Sequence, residues 1–530
     1  MEELHRPKEG PPFLQLPVEL FLQIWEYLSV DDILAFRLVC RHVESLLFDP
    51  FCREFFTERR FSITFHSLKA LVDISLCPRL KNCLTRLTIG LDRLHSSDAL
   101  ACYTDNWESI RDLTHQDGPL VKAGVDPYKL ETLAHEQDFL VHSGKFQLML
   151  SQALGNLSYL EEFSLRDHNV PRNTRREGLN QLFVSYGWSH ILRETGIDLT
   201  GAESSLSHYD ERFVDVVFSG FLLALAQSRI RINALTVDIA EADVGLSSSA
   251  FFLPGFFYQD VHPALFNLRS LDLSVSFTQV MLGSYFGRAN SFMKWQTHQV
   301  FSLLQQTPNL VTLRVRSKEP GFFADGIVGW LASLFGDPSE AEEDSEINET
   351  HSGSNFPGDA KAMMLPHFEH RLQALRELHL ENMKAPTGTV CKILRGLSGS
   401  LRRLTFVKMA LCVSSDDDEL DNDPSKPNAW SAVFLDMHTS VQLEQLALAS
   451  LEHHTPSCSR YNGHPVAFFP SNFGVQSGPS NGLLYAWSHQ GSAEAISDFL
   501  RELHAKTIIL CRKCKQRNVG YRSVEEILEI

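Results

Sequence analysis

The stretch from Leu16 to Cys40, LPVELFLQIWEYLSVDDILAFRLVC, joins apolar residues at helical spacing to helix start signals. Pro17 suits a first helical turn, because its ring presets φ and its missing N–H would find no partner there. From that point Leu20, Ile24 and Leu28 recur every four residues, while Val18, Phe21, Leu22 and Trp25 fill the flanks. The apolar surface is wider than one small core needs, so part of it is expected to meet a partner. Ser29, with Asp32 three residues on, reads as a capping box with Asp in place of Glu. It predicts a second helix through Ile33, Leu34, Leu38 and Val39 that ends at Cys40. A third helix is expected from about Arg41 to Leu47, with Asp49-Pro50 breaking the chain before the aromatic FCREFF segment.

In order and spacing, Leu16, Pro17, Glu19, Leu20, Ile24, Tyr27, Leu28, Leu34, Arg37, Leu38, Val39, Cys40, Arg41 and Asp49-Pro50 resemble the F-box pattern. The resemblance covers about residues 12–58 and departs at Val43, where many F-boxes carry Trp. It implies a three-helix module that binds the Skp-type adaptor of Skp-cullin-F-box ubiquitin ligases and, through it, a cullin. The residues it carries over to adaptor binding are Leu16, Pro17, Leu20, Ile24, Leu28, Leu34, Leu38 and Val39. Some of these must hold the module's own helices together, and periodicity does not divide the two duties. An ordinary three-helix start to a larger domain is the alternative.

Behind this module one short pattern recurs, apolar-x-x-apolar-x-apolar. The copies are Leu84-Leu87-Ile89, Leu160-Phe163-Leu165, Ile232-Leu235-Val237, Leu268-Leu271-Leu273, Leu310-Leu313-Val315, Leu375-Leu378-Leu380, Leu401-Leu404-Phe406 and Leu443-Leu446-Leu448. The last two apolar positions stand at period two, which suits a short strand with one buried face. Helical periods at 213–225, 292–304 and 390–397 lie between copies, and 138–154 also reads as helical. The expected fold class is α/β: the N-terminal helices, then an irregular leucine-rich-repeat solenoid over 59–451 with long insertions. A compact α/β domain with parallel strands is the rival. Two acidic insertions, 336–360 and 413–428, are expected to be disordered, and 452–530 is expected to form a capping segment and tail. Serines beside the acidic runs (339, 345, 414, 415) match acidophilic kinase sites, although solvated insertions need no such role. The aromatic segment Gly245–Tyr258 suits either a binding loop or a flap over a core edge.

The formal net charge of −17 argues against nucleic acid as the main ligand, since phosphate backbones attract clustered Lys and Arg. Much of the charge is local: Asp337–Glu349 holds seven carboxylates and Asp416–Asp423 six. Ten scattered cysteines suit a reducing compartment, and MEELHRPKEGPP lacks the make-up of a signal peptide. No apolar run reaches the roughly 20 residues needed to span a bilayer. A cytoplasmic or nuclear protein without a membrane partner is therefore expected, which makes the N-x-S/T triplets at Asn156 and Asn348 chance matches.

Catalytic signals are weak. Cys511 and Cys514 form a lone CxxC, whose nearest further metal ligands (His504, Cys458, His453, His454) lack finger spacing. HExxH, GxSxG and phosphate-binding glycine patterns do not occur. The basic run from Arg512 to Arg522 suits a solvated tail or an acidic partner. The reading is a substrate receptor with no catalytic residue, cofactor or metal, joining a Skp-type adaptor to an unknown target protein. Its rivals are a non-ligase F-box scaffold and an enzyme hidden in the repeat region.

Overall fold

The computed structural model describes residues 16–94, 126–169, 185–196, 211–241, 244–252, 257–276, 303–318, 328, 331–332, 335, 372–412, 428–454, 464–468 and 486–509. The chain divides into two compact units, Met1–Ser207 and His208–Ile530. Both combine helices with mainly parallel strands.

In the first unit, helices α1 (Val18–Tyr27), α2 (Val30–Arg37) and α3 (Arg41–Phe55) precede β1 (Glu58–Ser62), α4 (Phe65–Leu76) and β2 (Arg86–Gly90). Then follow α5 (Pro127–His142), α6 (Lys145–Asn156), β3 (Glu162–Arg166) and α7 (Trp188–Thr195). The strands run parallel in chain order, with Phe61, Ile89 and Leu165 side by side. The helical reading of 138–154 resolves into α5 and α6, which meet at Gly144, where φ is +74° and a glycine avoids Cβ strain.

In the second unit come α8 (Glu211–Ser228), β4 (Ala234–Asp238), α9 (Tyr258–Leu265), β5 (Ser270–Val275), β6 (Thr312–Ser317), β7 (Glu377–Glu381), β8 (Lys384–Pro386) and α10 (Thr387–Gly396). They are followed by β9 (Arg403–Val407), β10 (Ala410–Cys412), α11 (Ala429–Ser440), β11 (Gln445–Ala449), β12 (Glu452–His454), β13 (His464–Phe468), β14 (Ala486–Gln490), α12 (Ala493–Lys506) and β15 (Thr507–Ile509). Strands β4, β5, β6, β7, β9 and β11 pair in parallel in that order. Leu235, Leu271, Leu313, Leu378, Leu404 and Leu446 fall in one register row, and Val237, Leu273, Val315, Leu380, Phe406 and Leu448 in the next. None is more than 3% exposed, so every motif position faces the core. Burying each contributes about 1.5–3 kcal/mol, which is what fixes the register.

The copies also share backbone chemistry. The carbonyls of Asn233, Arg269, Val311, Arg376 and Arg402 each accept two successive N–H groups from the start of the next copy, at 2.7–3.1 Å. Thr57 and Thr85 do the same in the first unit. Past β7, β9 and β11 the chain turns at Asn382, Lys408 and Ser450, all left-handed with φ between 49° and 57°. The short strands β8, β10 and β12 then pair in parallel. Helices α11 and α12 each bury residues at i, i+3, i+4 and i+7, for example Trp430, Val433, Phe434 and Met437, and α10 buries Val390, Ile393 and Leu394.

The parallel order ends at β11, which β14 joins antiparallel, while β13 joins β12 and β15 joins β13 antiparallel. His504 Nδ1 donates to the Ser431 carbonyl at 2.8 Å and His438 Nδ1 to that of Ser497 at 2.9 Å, tying α12 to α11 in both directions.

Two sequence expectations change. The second helix stops at Arg37 rather than Cys40, because Cys40 is already the extended residue that precedes α3. Asp49-Pro50 does not break the third helix, which runs on to Phe55 with Pro50 inside it. An interior proline costs about 3 kcal/mol, and burying Phe51, Cys52 and Phe55 on the same face as Val43 and Leu47 outweighs it. Of the two readings of the aromatic segment, its described residues fit the flap at Phe251, which is fully buried, while Phe252 is half exposed. Asp215 on α8 pins it, accepting the Ser247 N–H at 2.9 Å and the hydroxyls of Ser247 and Ser249. The acidic runs, Cys511, Cys514 and most of the 292–304 helix lie outside the described residues.

Candidate adaptor-binding surface

The N-terminal module closes its own core. Phe21 and Trp25 of α1, Ile33 of α2, and Val43, Leu47, Phe51 and Phe55 of α3 are all buried together. Trp25 meets Phe55 edge-on at 6.5 Å between ring centres, and its indole N–H donates to Glu54 Oε2 at 3.0 Å. Arg37 lays its guanidinium 3.4 Å from the centre of the Phe51 ring and sits 3.5 Å from Glu44, so its charge is matched while its stem covers the core edge. Arg79 repeats the arrangement over Phe48, also paired with Glu44. Helix α2 starts as its sequence predicts: the Ser29 hydroxyl accepts the Asp32 N–H at 3.2 Å and donates to the Asp32 carboxylate at 2.6 Å. Burial, with the neighbouring Cys83, pushes the Cys52 thiol up to about 12, so it stays protonated and acts as a small apolar core residue.

The eight residues singled out from sequence divide into two sets. Leu16 and Leu28 pack against the module's core, and Ile24 is half-buried. Pro17, Leu20, Leu34, Leu38 and Val39 stay exposed, with Leu38 85% and Val39 62% accessible. Val18, Leu22 and Tyr27 are exposed as well, and were not among the eight. Their signal was present, since each adds to an apolar excess on α1 that Phe21 and Trp25 alone suffice to anchor. Isolated apolar residues on a surface need no explanation. Here the apolar side chains crowd two short helices and the turn after them, which is the pattern of a docking patch.

Among the described residues, no three or more His, Cys, Asp and Glu side chains are grouped to hold a metal ion, and no helix is long and apolar enough to cross a membrane. Residues 13–57 match the F-box-like family model. No curated protein matches the chain. F-box domains generally bind Skp-type adaptors, and the apolar surface of α1 and α2 lies within the matched segment. The chain carries an F-box-like domain over residues 13–57.

Proposed function

We infer that this chain is the substrate-recognition subunit of a Skp-cullin-F-box ubiquitin ligase. Helices α1 and α2 dock on the adaptor through Pro17, Leu20, Leu34, Leu38 and Val39, and the strand array holds a target protein. The observation that carries this reading is the exposed apolar set on a module whose core is already complete. The chain itself supplies no catalytic residue. Its contribution is effective concentration: a target held near the ligase's transfer site meets ubiquitin in an intramolecular encounter. We read the strand array as a degenerate leucine-rich-repeat solenoid. This is supported by the shared register rows, the doubled hydrogen bonds at each strand start and the left-handed turn repeated after β7, β9 and β11. The protein works in the cytoplasm or nucleus, where such ligases act.

Affinity purification of the full chain followed by mass spectrometry tests this. The receptor reading expects a Skp-type adaptor and a cullin to co-purify, and a further partner to accumulate when the chain is deleted from its cell. Adaptor without cullin, and no partner that accumulates, leaves the scaffold role instead.

A further inference from the structure

The outward face of the second unit's sheet carries charge at the positions between the buried leucines. Arg316 is spent within the protein, bridging Asp238 at 2.7 Å and Asp272 at 3.0 Å. The neighbouring cluster is different. Glu377 on β7 sits between two arginines: Arg314 on β6 donates through Nε and Nη2 to Oε1, at 3.2 and 2.7 Å, and Arg403 on β9 pairs with Oε2 at 2.8 Å. One carboxylate, 13% exposed, anchors two guanidiniums that are 48% and 49% exposed. The anion is drawn down and the cations stand above it, with a surplus of one positive charge. The remaining nitrogens of Arg314 and Arg403 have no protein partner among the described residues. Arg403 shares the register row of Glu377, which runs from Ser270 and Thr312 to Gln445 and Gln490 and holds no other acid, whereas Arg314 stands in the next outward row, between Asp272, which Arg316 already bridges, and His379.

Beside this pair the outward side chains become short. Thr405, Ala447 and Ser488 stand in one row, and Ala449 and Ala486 in the next. A floor of small side chains lets another backbone approach closely, with the arginines rising at its edge. A fork anchored on one side by a carboxylate loses little freedom on binding a second acid.

The geometry points to Arg314 and Arg403 as a fork that grips a carboxylate-rich segment of the target protein, lying across the short side chains of β9, β11 and β14. Carboxylates suit the site better than phosphoryl groups, because only part of each fork is left and Glu377 and Asp272 lie beside it, so a dianion meets repulsion that a single charge does not. The inference rests on the target-holding role given above, and locates it.

The test is fluorescence anisotropy of the full chain with a labelled peptide that alternates Glu and Ala, against the same peptide with Gln for Glu. The wild-type chain is expected to prefer the Glu peptide. The pair R314Q/R403Q should lose that preference and bind the Glu peptide at least about tenfold more weakly. Both side chains are half exposed, so its thermal midpoint should stay near wild type. If the Gln pair fails to fold, R314K/R403K replaces it, with the charges kept and the forks removed, and about threefold weaker binding is expected. L38D should leave peptide binding intact while losing the adaptor, so failure at either surface is separable from failure at the other. Equal binding of Glu and Gln peptides, wild-type affinity in the variants, or tighter binding of a matched phosphoserine peptide overturns the proposal. So does an arginine-dependent dimer formed through the acidic run Asp337–Glu349 of a second copy.

Discussion

The N-terminal helices and the strand arrays use leucine in opposite ways. On α2 and just after it, Leu34 is 44% and Leu38 85% exposed although the module's core is complete without them. In the strands, every motif leucine is buried and the outward positions carry Arg, Asp, Glu, His and Thr. One region keeps apolar surface in reserve and the other keeps charge. An apolar patch gains from burial in a tight, dry interface. A charged face supplies selectivity among partners more than raw affinity. The proposed role, holding one constant adaptor while discriminating among targets, calls for both.

The strand side of the comparison is most exposed to test at a nearly inaccessible charge. Arg60, whose side chain is 1% exposed, donates to Asp92 at 2.9 Å and to the carbonyl of His168 at 2.6 Å, joining β1 to the chain just after β2 and β3. Burial pushes the Asp92 carboxyl up, while the Arg60 guanidinium and the Ser185 hydroxyl pull it back down. Asp92→Ala strands that guanidinium and should cost about 3–5 kcal/mol in urea unfolding. A loss below about 1 kcal/mol would show that water reaches Arg60.

The leucines compare directly. Leu404→Ala should cost about 2–5 kcal/mol, whereas Leu38→Ala should stay within about 0.5 kcal/mol. Equal losses would erase the distinction between core and docking leucines. A smaller effect checks the start of α2: Ser29→Ala removes the acceptor of the Asp32 N–H and should cost about 1 kcal/mol.

The smallest effect concerns pH. His66 stacks on His190 with ring centres 4.6 Å apart and faces Tyr186 at 5.8 Å. Partial burial, with His190, Arg193 and Lys69 adding positive charge, holds its pKa below the usual 6.5. The unfolded chain therefore takes up this proton more readily than the folded one. Stability should be full above pH 6.5 and fall as pH drops below it, and His66→Gln should flatten that fall in thermal midpoints. An unchanged slope would remove His66 from the account.

The two regions were also legible to different degrees. The helices could be read because Pro17, Ser29 and the four-residue spacing are local signals whose geometry needs nothing distant. Pro50 misled for the same reason: a local breaker was outweighed by Phe51 and Phe55, whose burial depends on α1. The strand motifs could be read because period two survives in any context. The short strands β8, β10 and β12 could not be, since three residues carry no period and Lys408 and Ser450 give no hint of a left-handed turn. Asn382 alone belongs to a type that favours it. The division of the eight adaptor residues needed the third helix in place, because only Val43, Leu47 and Phe51 decide which side of α1 and α2 is covered. The Arg314–Glu377–Arg403 cluster was invisible for a simpler reason, as 63 residues separate the first two in the chain.

The central claim is that the exposed leucines of α2 and its end bind an adaptor without holding up the fold. Calorimetric titration of a Skp-type adaptor into the full chain, compared with the double variant L34D/L38D, tests it most directly. The account predicts saturable binding by the wild type, no detectable binding by the variant, and indistinguishable circular dichroism and thermal midpoints for the two. Retained adaptor affinity in a folded L34D/L38D chain would contradict it.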